Sequence, residues 1–127
     1  MDRSLFVKEG KEIALPVAAG TLIELGHMAA VNAAGYLVMA QDTAGLKVMG
    51  VAGETVDNTT GADGDVLARV FRAQSFLLNN AATGGVTQAN VGSDVFVNNS
   101  VTVAASGGVA AGKLLAIDAE GPQVWIG

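Results

Sequence analysis

The chain has 127 residues, enough for one hydrophobic core and short for two, and its twelve acidic and seven basic side chains give a net charge of −5. The Lys and Arg residues form no cluster, which disfavours a nucleic-acid partner, and the absence of Cys removes disulfides, thiol catalysis and thiolate metal sites together. Half of the residues are hydrophobic, but 22 of them are Ala and only six residues are aromatic, so the expected core is thin and would be completed by burial against further copies or a larger partner.

In chain order, residues 1–10 read as an N-terminal arm and residues 11–127 as a single β-rich domain. The start lacks the long apolar segment of a secretory signal, and no run is long enough to span a bilayer, so assembly in the cytoplasm without a membrane partner is expected. Short runs of Val, Leu and Ile, punctuated by Gly, Asn and Asp, are the rhythm of a small all-β barrel or sandwich-like domain with at most one or two short helical turns. The apolar runs predict strands at 12–18, 28–32, 36–40, 47–56, 65–78, 94–98, 101–104, 113–118 and 123–126.

Three hairpins are legible. Asn32-Ala33-Ala34-Gly35 joins two apolar runs, with Gly35 free to adopt positive φ. Asn98-Asn99-Ser100 joins another pair. Glu120-Gly121-Pro122 precedes the last strand, which Pro122 can begin but not continue inward. The helical candidate is Thr87 to Gly92, capped by those two residues. The triplets Ala18-Ala19-Gly20, Ala33-Ala34-Gly35 and Ala110-Ala111-Gly112 each precede an apolar run and are expected to be one turn-into-strand device used three times.

The chemistry-bearing residues are sparse. His27 is the one imidazole of the chain, and neither a Ser-His pair nor a metal cluster can be assembled around it by spacing. The loop from Asp57 to Asp65 is rich in oxygen ligands but lacks the alternation and closing Glu of a calcium loop, and reads as a tight turn. Gly84-Gly85 and Gly107-Gly108 lack the Lys-Ser/Thr that follows a phosphate cradle. Lys47 has the setting of a continuing strand rather than of a biotin-bearing hairpin tip. One Trp and one Tyr make the aromatic cleft of a glycosidase improbable, and Trp125 reads as a core or interface anchor. No enzyme, cofactor or metal site is expected.

The segments Ala19-Gly20-Thr21-Leu22-Ile23, Met28 to Tyr36, Asp42 to Ala52 and Val56-Asp57-Asn58 resemble the capsid cement, or head decoration, proteins of tailed bacteriophages. Val86 to Gly92 with Val95-Phe96-Val97, and Gly112 to Asp118, fit the same family, so the resemblance covers most of the chain from about Ala18 onward. It implies a non-enzymatic protein that docks on the outer surface of the expanded head in many copies, as a symmetric oligomer, trimer or dimer. There it would bridge major capsid subunits against the pressure of packaged DNA. The expected location is the virion exterior, after assembly in a bacterial host. On this view Leu5, Phe6 and Val7 are candidate capsid-binding residues, an arm adding an edge strand to the shell; equally, they begin the domain's own sheet. From a different class, a surface- or tail-associated module binding a host glycan or another virion protein is the alternative.

Overall fold

A computed structural model describes residues 10–127, an almost entirely β domain whose sheets stay open rather than closing into a barrel. The front sheet holds β1 (Glu12–Pro16), β3 (Met28–Val31), β4 (Leu37–Met39), β5 (Lys47–Ala52) and β7 (Leu67–Phe71), in the order β1-β7-β5-β3-β4. The back sheet holds β8 (Gln74–Leu77), the short β9 (Asn79–Asn80), β10 (Asp94–Asn99), β11 (Thr102–Ala104), β12 (Ala110–Asp118) and β13 (Gly121–Ile126), in the order β8-β13-β12-β10-β11-β9. A separate ribbon pairs β2 (Thr21–Ile23) with β6 (Val56–Asn58). Neighbouring strands run antiparallel except for β9 beside β11.

Against the expected single core, the apolar side chains form two clusters, one on each face of the front sheet. Met28 and Ala30 of β3 point to the back sheet, where they meet Val97, Leu114 and Val124. Ala29, between them in sequence, points the other way and joins Val17, Ile23, Leu37 and Val70. All three β3 residues are fully buried. A strand covered on both faces has no polar side to alternate with, which explains the unbroken Met28-Ala29-Ala30-Val31 run. The small side chains suit this position, because a sheet with layers on both faces leaves little depth for each.

The three hairpins form where the turn residues placed them: β3–β4 across Asn32 to Gly35, β10–β11, and β12–β13. Gly35 takes φ 88°, and Asn32 accepts the backbone N–H groups of Ala34 and Tyr36 at 3.0 and 3.1 Å. The helical candidate is a single 3-10 turn over Gln88–Asn90, preceded by Thr87 as expected.

Three expectations need correction. The run 65–78 is not one strand. It breaks at Arg72 and Ala73, where Ala73 adopts φ 57° and the chain crosses from the front sheet into β8 of the back sheet. No Gly or Pro marks that corner, so apolar patterning alone extended the strand through it. The run 47–56 is also divided: β5 ends at Ala52, and Gly53 turns the chain past the Phe71 ring toward β6. Finally, Ala110-Ala111-Gly112 is already inside β12 and is not a turn, unlike the other two triplets.

Candidate functional site

The back sheet presents its outer face to solvent. Along β13, Val124 and Ile126 point into the core while Trp125 points out and is 42% exposed. Opposite it in β8 the same alternation turns Ser75 and Leu77 outward, Leu77 being 52% exposed. In β12 the register shifts between Leu114, which faces Val124, and Ala116, which faces Gln123. This bulge inserts Leu115 as an extra residue on the solvent side, 45% exposed, and lets Ile117 pack back against the core. Leu77, Leu115 and Trp125 thus share one face of three adjacent strands, with Lys113 directly across from Trp125. Of the two roles open to Trp125 in the sequence, the core role does not hold: its ring lies outside, against Gly127.

Exposed apolar side chains scattered singly are ordinary, but a group converging on a sheet face marks a contact surface. The strands beneath this one are stiffened by fully buried Leu114 and Val124. The sequence signal was the doublets Leu77-Leu78 and Leu114-Leu115, since neighbours in a strand that covers one core cannot both face it.

A second feature lies between β2, β4 and the β10–β11 turn. An open groove of about 430 Å³ is lined by Leu22, Val38, Met39, Gln41, Asn99 and Ser100, with small residues between them. At its edge His27 Nδ1 lies 2.7 Å from Ser100 Oγ, and Nε2 lies 3.5 Å from Glu24 Oε2. Separated by 73 residues, the Ser-His contact is invisible to spacing. The same Ser100 accepts the Met28 N–H through its carbonyl at 2.6 Å, so the row fastens the β10–β11 turn to the start of β3 and ties the two sheets together. The groove wall carries no charged side chain and no aromatic ring. It offers neither a charge for a developing oxyanion nor a platform on which a sugar stacks.

The Asp57 to Asp65 loop directs its carboxylates to different donors, backbone N–H groups and one hydroxyl. Asp57 accepts from Thr59 Oγ1 and N at 2.6 and 2.9 Å, Asp63 from Ala19 N at 2.8 Å, and Asp65 from Ala62 N at 2.8 Å. Buried Asn58 anchors the loop by donating to the carbonyls of Val17, Ala18 and Ala62. Among the described residues no three acidic or His side chains converge on a common point. The Thr59 hydroxyl and then its N–H hold the Asp57 carboxyl below its ordinary value.

On the front sheet, Arg69 bridges Glu12 and Glu54 at 3.1 Å each. The Arg69 backbone N–H, followed by its guanidinium, holds Glu54 below the ordinary carboxylate value. Lys47 begins β5 opposite Val31, in a strand rather than at a hairpin tip. Leu5, Phe6 and Val7, the candidate capsid-binding residues, lie outside the described residues. No protein-family model matches the chain, and neither curated proteins nor solved structures show significant similarity to it.

Proposed function

We propose that this protein is a non-enzymatic decoration protein of a tailed-phage head, binding the outer surface of the expanded shell as a symmetric oligomer and bridging major capsid subunits. The observation that carries the reading is the Leu77, Leu115 and Trp125 face, an apolar surface on a rigid sheet in a domain whose own core is built from small side chains. The segment resemblance supplies the partner. The negative balance suits a site outside the shell, away from the packaged polyanion. Stabilisation follows by mass action: each copy that binds only the closed shell shifts its equilibrium by RT ln(1 + [L]/Kd), summed over many sites.

The glycan-binding alternative has less support, because the open groove lacks the aromatic platform sugars use. The test is light scattering on the purified protein, then co-sedimentation with expanded undecorated heads and with unexpanded proheads. A trimer or dimer that pellets with expanded heads alone is the expected result. A monomer that pellets with neither overturns the proposal.

A further inference from the structure

A copy that holds two neighbours together needs two contact surfaces, and the Leu77, Leu115 and Trp125 face supplies one. We infer that the groove between β2 and β4 is the other, and that it takes an extended segment of the shell protein in which apolar side chains alternate with Lys or Arg. The source of the segment rests on the cement reading, whereas its chemistry rests on the groove alone.

The shape follows from the path of the chain. Val17 pairs with Leu37 in parallel, and the Ala18 N–H donates to the Leu37 carbonyl at 3.0 Å. Directly after, the chain turns away through Ala19 and Gly20, where Gly20 takes φ 67°, and enters β2. β2 and β4 stay neighbours, and the space the turn leaves between them is the groove of about 430 Å³. Leu22 from β2, with Val38 and Met39 from β4, makes its apolar lining, and the stretch from Val38 to Gln41 runs for about 13 Å at about 3.3 Å per residue. A slot of that length between two strands suits an extended chain better than a compact ligand.

The charge around the groove sets the occupant. Asp57 faces Leu22 across the β2–β6 pair, and Asp63 accepts the Ala19 N–H at 2.8 Å at the start of the turn. Glu24 lies 3.5 Å from His27, whose other ring nitrogen reaches Ser100 of the lining at 2.7 Å. Asp42 follows Gln41 and accepts the Gly108 N–H at 3.0 Å. The Lys and Arg side chains among the described residues are placed elsewhere. Arg69 lies between Glu12 and Glu54, Arg72 donates to the Gly10 carbonyl, Lys113 stands across from Trp125, Lys47 is opposite Val31 at the far end of β3, and Lys11 precedes β1. Side chains of an extended segment alternate in direction, so one set fills the apolar lining while the other carries cations to the carboxylates.

The test on the free protein is an NMR titration with an acetylated and amidated Lys-Val-Lys-Val-Lys peptide and with its counterpart carrying Glu for Lys. The amides of Leu22, Met39 and Ser100 are expected to shift with the first and not with the second. Leu22→Lys and Gln41→Lys, both at exposed side chains, are each expected to weaken binding of the first peptide about tenfold or more, with the Val97 and Leu114 amides unmoved as the mark of an unchanged fold. Equal shifts from both peptides, or variants that bind within about threefold of the original, overturn the inference. So do shifts at the same amides on raising the protein concentration without peptide, since a second copy would then be the occupant. Co-sedimentation tests the source: Leu22→Lys should bind expanded heads about tenfold or more weakly than the original, and undiminished binding overturns the shell as the source. If the original protein binds no heads the cement reading fails, while selective binding of the cationic peptide upholds the chemistry of the groove.

Discussion

Replacing Leu77 and Leu115 together by Thr should abolish most of the shell affinity while leaving the domain folded. Full burial of a Leu side chain contributes about 1.5–3 kcal/mol. Leu77 and Leu115 are 52% and 45% exposed, so about half of that amount, roughly 0.7–1.5 kcal/mol each, is left to be gained in a contact. The pair sums to about 1.5–3 kcal/mol, which is a loss of roughly 10- to 150-fold in affinity at 1.4 kcal/mol per decade. Trp125, left in place, keeps its own share. Thr is chosen because it is β-branched and suits a strand, so the solvent-facing change should alter stability by no more than about 0.5 kcal/mol. Binding to expanded heads by quantitative co-sedimentation, with the urea midpoint of the free protein as the control, separates the two effects. Affinity within about threefold of the original, with an unchanged midpoint, would refute the assignment of this face as the docking surface.

Other consequences concern the scaffold. A Cβ at Gly112 would collide with the Trp125 carbonyl oxygen and stand 3.0 Å from its carbon, so Gly112→Ala should force β12 and β13 apart and cost about 1–3 kcal/mol, read as a lower urea midpoint. An unchanged midpoint would contradict the strand spacing. Asn58→Ala leaves the Ala18 carbonyl without its donor, while the Val17 and Ala62 carbonyls keep the Gly64 and Asp65 N–H groups, and should cost about 1–3 kcal/mol by the same assay. Glu54 has a folded value below its ordinary 4.5, so the native state binds fewer protons than the unfolded one between those two values. Its contribution is complete above 4.5 and is lost as pH falls through the folded value, so acidification should erode the original protein more than Glu54→Gln. Parallel midpoint-against-pH curves for the two would show that the Arg69 contact contributes nothing.

Much of the fold was legible because turns are written in residue chemistry. Gly35 at positive φ and the Asn32 side chain folded over its own turn are local requirements, visible without knowing what lies across the sheet. The corner at Arg72-Ala73 is not local. Ala73 is held at φ 57° by the crossing between sheets and by its bond to Ile126, more than fifty residues later in the chain. Apolar patterning reports how much of a residue is buried, not against which layer, so it joined two strands of different sheets into one. The same blindness hid the second cluster: Met28 and Ala29 read as one apolar run whether they share a core or divide between two.

The candidate surface was missed for a related reason, and that reason bears on how it works. In a regular β12, outward Leu115 would put Ala116 inward and Ile117 outward, giving a face with apolar side chains at alternate positions along the strand. The bulge moves Ile117 back into the core and leaves Leu115 and Ala116 together on the solvent side, so one extra residue both repairs the core and concentrates the exposed apolar area beside Trp125. Deleting Leu115 would close the bulge with Leu114 still opposite Val124 and Ala116 still opposite Gln123, so Ile117 would stay inward and the face would lose its Leu, whereas keeping Leu115 in a strand forced to pair regularly would turn Ile117 out of the core. A surface built this way is coupled to the core behind it, and such rigidity matters to a domain that must hold two neighbours at a fixed spacing, because a contact face that deforms spends on its own reordering the free energy that would otherwise hold the partners together.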